Sequence, residues 1–325
     1  MMRRTTTTLA ATAVALAAVT VPAKATTMTT TSQNHKQGAY TLTIHGENAF
    51  PESIATDGDH IYTGSIDDGT VYRGRLGAKT LEPFLPAGQD GRTEVTGVKI
   101  AGDRLLLAGA FTGRFFVYTE TGKLVASYTV PDTGEKTLVN DEAITPDGDV
   151  YITDSLRAVV YRIPAAEVRA PVAGAVPHRT LRVAYRLPDY VAGQSNGNGI
   201  VATPDGKSLI IGYWYSGALY RLTLADGTVR KIDAPPLPSD DGMVLRGNAL
   251  YIARSVNNEV TEVRLSHHDT RGAVVAERTY PGADTTTGVA ISGDRLLVTN
   301  SQLDAFLYGN PLRSPVFTVE NLPLR

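Results

Sequence analysis

The sequence predicts an all-β fold, a six-bladed β-propeller with four-stranded antiparallel blades. Three observations carry that expectation. One pattern of short apolar runs and Gly/Asp turns returns about every 45 residues. The chain holds 31 glycines and 18 prolines, a composition suited to many strands joined by turns. No segment shows an apolar stripe at helical period, so alternating strands and helices are not expected.

The repeat copies begin at Glu52 (ESIATDGDHIYTGS), Thr96 (TGVKIAGDRLLLAG), Asp141 (DEAITPDGDVYITD), Asn198 (NGIVATPDGKSLIIGY), Asp241 (DGMVLRGNALYIAR) and Thr287 (TGVAISGDRLLVTN). Aligned on their second residue, they place anchors at Ser53, Gly97, Glu142, Gly199, Gly242 and Gly288. A third strand-like run follows most copies, for example TVYRGRL, FFVYTE, VVYRIP and ALYRLTL, and a more distal fourth run often comes next. Such a unit cannot cover its own apolar faces; its neighbours must, and closing the ring hides the last of them. The run AYTLTIHG at 39–46 is expected to add an outer strand to the last blade. The third interval is about a dozen residues longer than the rest, which predicts an insertion over 164–188 reaching across one face, with His178 as a rim contact. Pro164 and Pro171 confine any helix at 165–170 to a turn.

Residues 1–25 read as an export signal: Arg3 and Arg4, then the apolar run LAATAVALAAVTV, then Ala23-Lys24-Ala25 for cleavage. Residues 26–38 read as a flexible polar lead-in, and 39–325 as the propeller domain. A secreted or periplasmic product is therefore expected. No later stretch predicts a membrane span. Lys and Arg number 31 against 33 Asp and Glu, which argues against nucleic acid as the principal partner. The chain has no cysteine, which excludes disulfide staples, thiolate metal sites and cysteine nucleophiles. Nucleophile-elbow, phosphate-loop, EF-hand and zincin motifs are missing from it as well. A small-molecule substrate and a monomeric state are expected.

In a propeller the first strand of each blade lies nearest the axis, and its beginning opens on one mouth of the channel. The repeat starts place Glu52, Thr96, Asn140 with Asp141, Asn198, Asp241 with Asp240, and Thr287 there. Carboxylates and amides converging at an axis suit a hard cation, above all Ca²⁺, whereas the repeats set no histidine in register for zinc. Arg114 and Thr287 join Thr96 and Asn140 as candidate substrate contacts. For the cluster Tyr213-Trp214-Tyr215, packing in the core is favoured over ligand stacking.

The ordered set Glu52 in FPESIATDG, Asn140-Asp141 in VNDEAITPDG, Asn198-Gly199 in GNGIVATPDG and Asp241-Gly242 in DDGMVLRGN resembles the SMP-30/gluconolactonase/regucalcin-like six-bladed propellers, over about residues 50–300. The resemblance implies that Glu52, Asn198 and Asp241 bind a divalent metal. It implies Asn140 as a substrate-contacting or secondary metal residue and Asp241 as general base, with Asp240 competing for the metal role. The expected activity is hydrolysis of a lactone or related ester. Where that family often has Glu-Gly-Pro, this chain has Pro51-Glu52-Ser53, which is similar to strictosidine-synthase-like propellers. That second likeness implies a biosynthetic or lyase function without calcium, and a noncatalytic binding propeller stands as a further alternative.

Overall fold

The structure is a computed structural model, and it describes residues 39–46, 49–172 and 174–324. The expected export signal and lead-in lie outside the described residues. Among the described residues the chain is almost entirely β, with two short α-helices, Ala165–Val168 and Leu303–Tyr308.

Each repeat copy forms a strand, turns at its Gly/Asp pair and returns antiparallel. Gly148 shows why glycine stands in such turns: its φ of 96° is a conformation that side-chain-bearing residues rarely adopt. The first strands are Pro51–Thr56, Gly97–Ala101, Val139–Ile144, Gly197–Ala202, Asp240–Arg246 and Thr286–Ser292. Each packs against the next, and the last packs against the first, so they close a ring.

The hydrogen-bonded sheets are less uniform than the repeats suggest. Three have four strands, one has five and one has eight. The eight-stranded sheet arises because Tyr40–Ile44 pairs antiparallel with Phe317–Pro323 and also parallel with Thr80–Leu85. The strands at the two ends of the described chain thus share one sheet. The fifth strand elsewhere is His178–Thr180, which pairs parallel with Leu124–Thr129 of the preceding unit.

Apolar side chains from adjacent sheets interleave between them. Leu106, Phe115 and Val117 meet Val150, Ile152 and Tyr161, and Ile210 and Leu219 meet Leu250, Ile252 and Val263. Each fully buried side chain of this kind contributes roughly 1.5–3 kcal/mol. No sheet covers its own faces, so this stabilisation belongs to the ring rather than to any one repeat.

Strand direction sorts the connections by face. First strands begin at one end of the ring, which makes second-to-third connections return to that end and third-to-fourth connections fall at the opposite end. Residues 164–181 are a third-to-fourth connection. They run as a helical turn and then as the outer strand His178–Thr180, so the face this insertion occupies is the one opposite the mouth. His178 is correspondingly not a rim residue, since its Nδ1 lies 2.5 Å from Ser127 Oγ on the outer strand of the neighbouring unit.

Candidate functional site

Five of the six first strands share one irregularity at their start. Between Pro51 and Ile54, Val139 and Glu142, Gly197 and Ile200, Asp240 and Met243, and Thr286 and Val289, two residues oppose one on the partner strand. The Gly97–Ala101 strand pairs without such a bulge. A bulge bends the strand and re-aims its side chains. Its first residues here are Glu52, Asn140, Asn198, Asp241 and Thr287, the residues singled out by the repeat.

Threonines on the second strands occupy backbone groups that the bulges free from the ladder. Thr153 Oγ1 donates to Asn198 O at 2.7 Å, and Thr299 Oγ1 accepts from Gly288 N at 2.7 Å. Close approach between first strands needs small residues: a Cβ on Gly199 would collide with the carbonyl oxygen of Asp241.

The bulges also correct the repeat alignment by one residue. Asn140 is the counterpart of Glu52 and Asn198, so Asp141, not Glu142, stands at the place of Gly199. Asp141 bridges the two neighbouring first strands, accepting from Lys99 Nζ at 2.6 Å and from Ile200 N at 3.3 Å. Glu142 is buried beside Gly97, and neither of its carboxyl oxygens has a partner among the described residues. Burial pushes its pKa well above the ordinary glutamate value.

Glu52, Thr96, Asn140, Asn198 and Asp241 line one cleft of about 1860 Å³. Thr287 and Arg114 do not. Thr287 is buried, and its hydroxyl reaches Pro51 O and Thr299 Oγ1. Arg114 donates to Gly91 O at 2.8 Å and lies 5.1 Å from the Phe116 ring centre. Both expected substrate contacts are therefore engaged in holding the fold. Thr96 borders the cleft, but its hydroxyl donates to Val139 O at 2.8 Å. Asp240 is buried away from the cleft against Gly212, which leaves the mouth to Asp241.

Of the cluster for which core packing is favoured, Tyr213 packs inward, whereas Trp214, the single tryptophan, lines the cleft. Its Nε1 donates to Ser255 Oγ at 3.0 Å, and Ser255 stands by the Asp241 carboxylate and works against the rise of its pKa. Ser255 received no weight from the sequence, because it lies at the end of a second strand, outside the repeat starts. Asn140 Nδ2 donates to Ser155 Oγ at 2.9 Å, which leaves Oδ1 for the centre.

The electrostatics are those of acids gathered without enough positive charge. Burial pushes Asp241 up to about 8, with Asp141 adding to the rise while Ser255 and Asn198 oppose it. Burial, then Asp241 and Asp141, raises Glu52 well above the usual range. Lys99 is the cation close by. Burial works against its charge, but Asp141 and Glu142 lift its pKa above the usual lysine value.

Glu52, Asp241, Asn140 and Asn198 are hard oxygen donors of the kind that binds calcium or magnesium. A cation beside the two carboxyls would favour the ionised forms that burial opposes. Among the described residues no three Asp, Glu or His side chains gather at metal-binding spacing. A cation here would rest on two carboxylates and two amide oxygens.

No protein-family model and no curated protein sequence matches the chain. Solved structures do match. The β-propeller domain of Cps50 (Swd1) from Myceliophteria thermophila superposes with a TM-score of 0.57 at 12% identity, covering 86% of this chain and 97% of that one. The fold is a β-propeller. Regucalcin from Agrobacterium tumefaciens, described as a calcium-binding protein, gives 0.58 at 19% identity over 86% and 93% of the two chains. Virginiamycin B lyase from Staphylococcus aureus gives 0.59 at 16% identity over 89% and 99%. At these identities the likeness establishes the propeller fold, and the chemistry has to be argued from the site.

Proposed function

We propose that the chain is an exported, cation-dependent hydrolase of lactones or related cyclic esters, built as six four-stranded blades and acting as a monomer on a small molecule. One observation carries this reading: the strand-start bulges turn Glu52, Asn140, Asn198 and Asp241 onto the floor of one cleft, where burial and like charge oppose ionisation of both carboxyls. The calcium-binding description of the regucalcin neighbour supports the choice of cation.

Glu52 and Asn198 would hold the cation, with Asp241 and the free Oδ1 of Asn140 completing the set. When bound, Ca²⁺ supplies polarisation of the ester carbonyl and neutralises charge developing on its oxygen. Asp241, oriented by Ser255 and Asn198, positions the attacking water and accepts its proton. Trp214 holds Ser255 so that its hydroxyl hydrogen is directed to Asp241.

The test is metal content of the purified mature protein beside turnover of a lactone panel. Calcium-dependent hydrolysis, lowered about a hundredfold or more in Glu52→Gln and Asp241→Asn, is the expected result. Protein without stoichiometric metal, or an Asp241→Asn variant with full activity and metal, would remove the premise. Bound calcium without turnover of any ester would favour a binding propeller. Export is checked separately, by N-terminal sequencing of the processed protein for cleavage near Ala25.

A second reading rests on Asp241 itself. A carboxyl pushed up to about 8 by burial is a workable proton acceptor near neutral pH without a cation. A lyase abstracting a proton next to a carbonyl would use it so, and the virginiamycin B lyase neighbour makes that class relevant. Activity insensitive to chelators would select this reading.

A further inference from the structure

The connection from second to third strand is short in five units: residues 66–70, 109–113, 155–158, 214–218 and 255–258. In the last unit it is residues 301–316, several times longer, and it contains the helix Leu303–Tyr308. All six connections place at least one residue on the cleft, and the long one raises a wall over it.

This wall is fixed in place. Gln302 is buried with a left-handed φ of 48°; its Nε2 donates to Ser314 O at 3.0 Å, and its Oε1 accepts from Arg313 N at 2.8 Å and Ser314 N at 3.1 Å. The Arg313 guanidinium donates to both oxygens of Asp304, at 2.6 and 2.7 Å, and to Asp284 at 2.7 Å. Phe306 anchors the helix beneath, with its ring centre 5.5 Å from that of Phe50.

Above this anchoring the wall turns apolar side chains toward the cleft. Leu307 is 42% exposed and Tyr308 52%; other connections add Phe111 at 43% and Val256 at 71%. Leu138 and Leu156 line the same space. Apolar surface concentrated around a polar floor marks a pocket for a ligand with an apolar body and one polar group. The charges point the same way. Arg313 and Lys136 are the cations lining the cleft, and Arg313 is already held by two carboxylates, so the cleft offers little free positive charge to an anion.

We propose that residues 301–316 form a specificity wall that selects uncharged cyclic esters bearing an apolar alkyl or aryl substituent over polyhydroxylated ones. The polar ring occupies the floor, and the substituent lies against Leu307, Tyr308, Phe111 and Val256. This substrate class rests on the hydrolase reading; the apolar selectivity of the wall does not.

The experiment uses the mature protein and a Leu307→Ser/Tyr308→Ser variant, both sites being exposed and outside the core. kcat/KM is measured for γ-lactones of increasing alkyl chain length and for a polyhydroxylated δ-lactone. In parallel, non-hydrolysable alkyl lactams are titrated by Trp214 fluorescence. Wild type should gain up to roughly fourfold per methylene that enters the wall, in turnover and in lactam affinity. The variant should lose most of that slope, in turnover and in lactam affinity alike. Chain-length-dependent lactam binding without hydrolysis would support the wall and overturn the lactone chemistry. A flat chain-length series in wild type, a slope unchanged in the variant, or preference for the polyhydroxylated substrate would overturn the wall.

Discussion

Residues 164–188 and residues 301–316 both interrupt the regular repeat, and they do so at opposite ends of the strands. The first follows a third strand and emerges on the face away from the cleft. There it becomes hydrogen-bonded structure, with His178–Thr180 added to one sheet and Arg182–Arg186 closing the next. Its apolar residues Val168 and Leu181 sink into the core between those sheets. The second follows a second strand, so it emerges at the mouth, and its Leu307 and Tyr308 stay exposed above the floor. An insertion therefore takes its role from the parity of the strand it leaves. At the far face it meets sheet edges and packs; at the mouth it meets the cleft and shapes it.

That contrast can be broken or sharpened by experiment. The largest stability effect is expected beneath the mouth. Lys99→Met leaves Asp141 buried without its ion pair, which should cost about 3–5 kcal/mol in denaturant unfolding. A loss below about 1 kcal/mol would show that the axial pair does not stabilise the ring. Next comes the far-face insertion: Leu181→Ala should cost about 2–4 kcal/mol by opening a cavity, while kcat/KM stays within about twofold. A large activity loss at normal stability would contradict the division of labour between the two faces.

The floor should show itself through pH. Folded Asp241 holds its proton up to about 8, whereas an unfolded aspartate releases it near 3.9. The folded state thus binds more protons between these values, and cation-free stability should fall as pH rises from about 4 to about 8, then level off. Glu52, raised in the same direction, adds to the fall. Saturating calcium should reduce or reverse it, because the bound cation favours the ionised carboxyls. Chemical denaturation at several pH values, with and without calcium, checks this; a profile flat in the absence of cation would remove the electrostatic picture of the floor. The smallest effect belongs to the rim. Val256→Ser should leave unfolding within about 0.5 kcal/mol of wild type while lowering affinity for the longest alkyl lactams severalfold.

Much of the floor was legible in the chain. The residue type at each repeat start singled out Glu52, Asn140, Asn198 and Asp241, and the glycine that follows Asn198, Asp241 and Thr287 marks where neighbouring first strands approach closely. The slip at the third copy was also visible in principle. Asn140 and Asn198 both stand five residues before a Thr-Pro-Asp-Gly turn, and that shared distance outranks the looser match of Asp141 to Glu52. Thr287 and Arg114 could not be separated from the site in this way. A hydroxyl donating across the ring closure to the first strand, or a guanidinium folded back on Gly91, involves partners distant in sequence.

By itself the sequence determined the local units: where strands begin and turn, and which side chains face inward by twofold alternation. These are short-range consequences of backbone sterics and side-chain pattern. Only the tertiary structure decided that Trp214 and Ser255 support Asp241, that Lys99 answers Asp141 from the neighbouring first strand, and that 301–316 rather than 164–188 stands over the cleft. Each of those depends on which strand ends share a face once the ring closes, a property of chain direction and packing that no local stretch of residues contains.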